Sequence, residues 1–166
     1  MSVMTTVYRL TVTEAAQFMD APDDVAEELI YGEDGWSRPG LAFIKWLALE
    51  KHGGGVNLAL SDGQKLRPLS FLADDYGDET HFEFPYGPGR VFQPETVAEL
   101  DAALKAISPL LIRKRLRLDR LSQIYPFTLR KPEPEDVEML QERVTELRAF
   151  VEAAARAREC LMVAVD

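Results

Sequence analysis

The feature that most constrains the fold lies near the end of the chain. From Pro134 to Arg158, the residues Val137, Leu140, Val144, Leu147, Val151 and Ala154 recur at alternating spacings of three and four. That period places all six on one stripe of an α-helix. Glu133, Glu135 and Asp136 stand at its start, and Arg156 and Arg158 at its end. This is the distribution a helix macrodipole favours. At 1.5 Å per residue such a helix is about 37 Å long. An apolar stripe of that length has to be covered by the rest of the chain.

Strand signals stand at the two ends. Residues 3–10 alternate and are rich in β-branched and aromatic types, and Cys160-Leu161-Met162-Val163-Ala164-Val165 reads as a buried strand. The two terminal strands are expected to pair with each other. Thr13 is a candidate N-cap for a short helix over Glu14–Met19. A second helix is expected over Asp20–Tyr31, with Asp23 and Asp24 in its first turn and Val25, Leu29 and Ile30 inside. After the Gly32–Gly35 turn, Ser37-Arg38-Pro39 opens a third helix to about Lys51. Leu41, Ile44, Trp46, Leu47 and Leu49 make it apolar on most sides, so it is expected to be central. Gly53-Gly54-Gly55 reads as its end, with His52 at its C-terminus. Val56–Leu60 follows as a short strand or a continuing helical layer.

Residues 61–80 are the least regular, and Asp74, Asp75, Asp78 and Glu79 form an acidic loop. His81–Phe84 alternates as a half-exposed strand, and Tyr86–Arg90 reads as an irregular turn. Pro94 starts a helix over Glu95–Ile107, and Ser108-Pro109 caps another to about Leu121. Ile124-Tyr125-Pro126 breaks that helix, and 131–134 is a stiff connection. The expectation is one compact α+β domain over 1–166. It has a small mixed sheet containing the N- and C-terminal strands, several helices and a long C-terminal helix.

Charge narrows the classes of partner. The chain carries 28 acidic and 19 basic residues among 166, a formal net charge of −9. Such a surface repels nucleic-acid phosphate and suits a protein partner with a basic surface. No apolar run approaches the ~20 residues of a membrane span. Met1–Thr6 lacks the basic and apolar regions of a signal peptide. The expected setting is cytoplasmic, with no membrane and no nucleic acid as partner.

The familiar chemistries find no support. The lone Cys160 permits no internal disulfide and no thiolate metal cluster, and its apolar surroundings suit a core residue. The glycine triplet lacks the Lys-Ser/Thr of a phosphate loop. His52 and His81 are the only histidines, with no H-x-x-x-H spacing for a metal. No G-x-S-x-G elbow occurs. No cofactor, metal or catalytic set is expected.

Two groups of residues remain as candidate sites. Residues 113–131 hold seven of the 19 basic residues and one acid, Asp119. Arg113, Lys114, Arg115, Arg117 and Arg120 form a candidate patch for an anion or an acidic segment, or else the solvated face of an amphipathic helix. Tyr86-Gly87-Pro88-Gly89-Arg90 is the most distinctive local feature, because Arg90 offers a planar donor fork. With Tyr8, Asp34, Trp36 and Tyr125 at other element ends, Tyr86 and Arg90 make a candidate ligand-binding group. A non-catalytic protein-binding or regulatory module, of immunity type for instance, fits the first group. A small-molecule binder or enzyme near Trp36 and Arg90 fits the second.

The segment Tyr86-Gly87-Pro88-Gly89-Arg90-Val91-Phe92, followed by Pro94-Glu95-Thr96-Val97, resembles the GYGPARYL-x-PEEV stretch of the YfbM-like family, a bacterial group of unknown function. Tyr8-Arg9-Leu10 and Thr13-Glu14 match its opening strand and cap. Asp34 and Trp36 match an acid and a Trp before its central helix, and Ile124-Tyr125-Pro126 a recurring IYP. The long final helix and terminal strand match as well, so the resemblance spans nearly the whole chain. Gly89 stands where alanine is usual, and the connection at 131–134 is longer. The resemblance implies a compact cytosolic α+β domain and lends no activity, cofactor or catalytic residue.

Overall fold

The computed structural model describes residues 4–20, 45–73 and 76–165. All but Asp20 of the helix expected over Asp20–Tyr31 falls outside these residues, as do the opening of the third helix, Asp34, Trp36, Asp74 and Asp75.

The terminal strands form the centre of the sheet. β1 (Thr5–Leu10) and β5 (Cys160–Val165) pair antiparallel from Thr5 opposite Val165 to Leu10 opposite Cys160. β2 (Lys45–Glu50) flanks β1, and the hairpin of β3 (Asp78–Phe84) and β4 (Gly87–Phe92) flanks β5. The order is β2-β1-β5-β4-β3. All four pairings among the described residues are antiparallel, where the sequence reading expected a mixed sheet. Every strand reverses direction against its neighbour, so no parallel crossover is required.

Six helices are seen among the described residues. These are α1 (Val12–Asp20), α2 (Gly53–Ser61), α3 (Pro94–Ala106), α4 (Pro109–Arg115), α5 (Leu118–Leu121) and α6 (Pro134–Ala157). Strand alternation sorts the apolar side chains to two faces. On one face Val7, Leu161, Val163 and Phe92 meet the inner sides of α2, α3, α4 and α6. The α6 stripe supplies Leu140, Val144, Leu147, Val151 and Ala154 to that core, as its period requires. On the other face Tyr8, Val91, Cys160 and Met162 meet Ala15 and Phe18 of α1.

Several elements differ from the sequence expectation. The third helix was expected to reach Lys51, but 45–50 is a strand paired with β1. In Trp46-Leu47-Ala48-Leu49 every residue is apolar, and such a run does not distinguish a buried helix from a strand covered on both faces. Leu47 lies opposite Val7 and packs with Leu49 into the helical-face core, while Trp46, opposite Tyr8, is 39% exposed on the other face.

The glycine triplet starts α2 rather than ending a helix. A Cβ on Gly53 would lie 2.8 Å from the Thr5 Cβ and 2.3 Å from its Oγ1. The Thr5 side chain therefore packs directly onto the helix backbone, an approach that only glycine allows. His52 is accordingly the N-cap of α2, not a C-terminal residue, and 56–60 is helical. The α1 cap is Thr11, two residues before the expected Thr13. Its Oγ1 accepts from the Glu14 N–H at 3.2 Å, while its own N–H donates to the Glu14 carboxylate at 2.7 Å. This is a reciprocal capping box.

The Tyr86–Arg90 segment is mostly strand. Gly87 onward belongs to β4, and only Pro85-Tyr86 separates it from β3. The β3–β4 register shifts between Glu79 and Glu83. There the Thr80 hydroxyl takes the Gly89 N–H at 2.8 Å and donates to the Phe82 carbonyl at 2.7 Å. A Cβ on Gly89 would come within 2.9 Å of the Phe84 ring, which accounts for glycine at this position.

The helix expected over 109–121 bends at Leu116-Arg117 into α4 and α5. Charged side chains tie the layers together. Arg9 enters the helical face of the sheet, pairs with Glu159 at 2.6 Å and lies over the Phe150 ring. Arg148 of α6 donates to the Ile107 carbonyl at the end of α3 at 2.6 Å, satisfying an orphan acceptor there.

Candidate functional site

Where α4 and α5 meet the first turns of α6, the surface opens into a cleft of about 460 Å³. Ser108 caps α4 by accepting from the Leu111 N–H at 3.1 Å, and Pro109 occupies the first helical position. The chain bends after Arg115 because two arginines reach inward to the C-terminal end of α2. Arg115 donates to the Ala59 carbonyl at 3.1 Å and the Leu60 carbonyl at 2.5 Å. Arg120 binds the Asp62 carboxylate and donates to the Asp62 carbonyl at 3.0 Å. A helix C-terminus offers unsatisfied carbonyls and a partial negative charge, so two guanidinium groups suit it.

These contacts divide the basic patch. Arg115 and Arg120 hold the elbow. Arg117 makes an exposed pair with Asp119, with donor distances of 3.0 and 2.9 Å. Hydrogen bonds from Arg117 hold the Asp119 carboxyl below its ordinary pKa. Arg113 and Lys114 are exposed and carry no ion pair or side-chain hydrogen bond among the described residues. Beside them Leu110 is 78% exposed, and Leu111 and Leu118 are each 38% exposed. Leu116, Leu118 and Val137 give the cleft an apolar floor, while Arg113 and Arg117 face Glu138 and Gln141 across it.

The candidate ligand group is distributed over the molecule. Tyr8 is buried on the α1 face of the sheet, opposite Met162 and Trp46. Arg90 projects to the other face, because it lies opposite Val163. Its guanidinium is paired with Glu79, directly across the hairpin, at 2.7 Å. Tyr86 is exposed at the hairpin tip, and its N–H donates to the Val165 carbonyl at 3.3 Å. Tyr125 precedes Pro126 beside the start of α2. Asp34 and Trp36 lie outside the described residues.

A second cavity of about 460 Å³ lies between β3–β4 and the start of α3. Arg67 stacks over the Tyr76 ring at 4.6 Å there, and Asp78 accepts from Gln93 at 3.0 Å. The sequence holds no periodic or motif signal joining Arg67, Tyr76 and Gln93, and only the fold brings them together.

The titratable groups with chemical potential are closed in. Burial pushes the Cys160 thiol up, away from the reactive thiolate, with Gln93 Oε1 3.6 Å from its sulfur. His52 lies beside Phe127, and burial holds its imidazole below the ordinary value. No group of three or more His, Cys, Asp or Glu side chains among the described residues is placed to hold a metal ion. No described helix is long and apolar enough to cross a membrane.

Sheet, helical layer and cleft define the class of protein. It is an α+β domain whose antiparallel sheet is closed by its own two terminal strands, with the long C-terminal helix laid over one face. The chain belongs to the DUF1877 family, a domain of unknown function, which it matches over residues 1–164. It is similar to the crystal structure of YfbM from Escherichia coli, a protein of unknown function, with a TM-score of 0.70 and 15% identity over 98% of this chain and 99% of that one. At that identity the likeness shows the fold alone. No curated protein matches the chain.

Proposed function

We propose that this chain is a non-catalytic docking module of the bacterial cytoplasm, which regulates or masks a protein partner through the α4–α5 cleft. One observation carries this reading. Arg113 over the apolar floor of the cleft, and Lys114 next to it on α4, stand without partners among the described residues, beside exposed leucines. Desolvating three leucines supplies affinity, and two cations on the rim select the charge of what enters.

Net charge by itself suggests a basic partner, as an immunity-type masking protein would take. The cleft selects locally for the opposite kind, a segment bearing carboxylates beside apolar side chains. The acidic remainder of the surface disfavours nucleic acid. A ligand site around Tyr8, Trp36 and Arg90 has weaker support, because Glu79 already holds the Arg90 guanidinium and Tyr8 is buried.

The test is fluorescence anisotropy with two labelled amphipathic helical peptides, one of Glu and Leu and one of Lys and Leu. The acidic peptide is expected to bind, and R113E/K114E to weaken it at least about tenfold, a change of about 1.4 kcal/mol. Equal binding of both peptides, or binding indifferent to R113E/K114E, contradicts the reading.

A further inference from the structure

We infer that the cleft is filled by a second copy of this chain, related by a two-fold axis. The inference rests on the cleft being a docking surface and names its occupant. One wall carries Arg113, with Lys114 next to it on α4 outside the lining, and both are unpartnered among the described residues. The opposite wall, the start of α6, is anionic. Glu138 lines the cleft, and Glu142 borders a shallower depression that shares Glu138 and Gln141 with it.

Glu138 and Glu142 also carry no ion pair among the described residues. Other acids along α6 do have partners. Glu146 pairs with Arg143, and Glu152 pairs with Lys105 and Arg156. Within the cleft the unpaired Arg113 and the unpaired Glu138 thus flank the apolar residues Leu116, Leu118 and Val137, with Lys114 and Glu142 just outside it.

A surface that is basic on one side, acidic on the other and apolar between is complementary to itself after a half-turn. In an isologous interface a residue that meets a second residue on the partner is met by that same pair in reverse. Arg113 and Lys114 of each copy then face Glu138 and Glu142 of the other, while Leu118 in the cleft and the exposed Leu110 and Leu111 beside it leave water. The pairing is counted twice, which is what a single acidic ligand could not provide. Two molecules of net charge −9 repel at long range. At about 0.15 M ionic strength the screening length is about 8 Å, so that repulsion is damped while contact pairs survive.

The experiment is sedimentation velocity at about 0.15 M salt and up to about 100 µM protein, far above the dissociation constants of ordinary specific dimers. The wild type is expected to approach twice the 18.7 kDa of the chain. R113E/K114E and E138K/E142K alter exposed side chains only, and circular dichroism checks that both stay folded. Each alone places like charges in both halves of the interface and is expected to be monomeric. An equimolar mixture of the two restores opposite charges in both halves and is expected to dimerise.

A wild type that stays monomeric at the highest concentration overturns the inference. A dimer that both charge reversals leave intact overturns it as well, because the interface is then elsewhere. Failure here is separable from failure of the docking reading. A monomer that still binds the acidic peptide through Arg113 and Lys114 leaves the cleft a docking site for another partner.

Discussion

His52 shows how far a single residue can depart from its sequence context. Following an apolar stretch and preceding three glycines, it reads as a helix C-terminal residue, where a cationic imidazole is stabilised. In the fold it precedes the first turn of α2, packs near Phe127, and its Nδ1 is buried without a hydrogen-bond partner among the described residues. Burial is the main cause of its lowered pKa, and Arg143 and Lys51 add to it against Glu50 and Asp136. The unfolded chain takes up a proton near the ordinary value of about 6.5, while the folded chain resists it. Stability from neutral His52 is therefore complete above that value and declines as pH falls through it towards the folded pKa. Urea denaturation at pH 7.5 and 5.5 should show the wild type losing stability on acidification, with H52N losing less. A slope unchanged in H52N would contradict this account.

At the scale of elements, legibility followed periodicity. α6 was readable because one helical period runs through it without interruption, β5 because a short apolar run follows directly on the end of that helix, and Pro94 and Ser108-Pro109 marked two helix starts through their fixed geometry. Residues 45–60 were not readable. Trp46–Leu49 has no period, and Gly53 and Gly55 answer to distant contacts with Thr5 and Leu140. The elbow between α4 and α5 was hidden for the same reason, since its cause is the C-terminus of α2 some 55 residues earlier. That cause can be tested. Replacing Arg115 and Arg120 together by alanine removes four donor contacts to α2. Allowing for their partial exposure, the loss should be about 2 kcal/mol. Amide exchange should accelerate over 112–121 while the centre of α6 stays protected. Uniform acceleration through α6 would mean that the arginines support the whole core rather than the elbow.

For the whole molecule, the α+β class and the pairing of the terminal strands were legible because the strand signals stood at the two ends. Antiparallel closure was not, because strand direction depends on which strands become neighbours. The basic cluster was legible as a cluster. Its division into pins and free cations was not, since Arg113 and Arg115 differ only in what the fold places within reach. A chain of net charge −9 thus presents one local surface of opposite character, bordered by its own unpaired carboxylates.

The claim that this cleft is the docking surface is tested most directly by amide chemical-shift mapping with the acidic amphipathic peptide. The account predicts perturbations concentrated at 110–118 and 134–142, lost in R113E/K114E. Perturbations centred instead on the Arg67–Tyr76 cavity, or spread evenly over the surface, would contradict it.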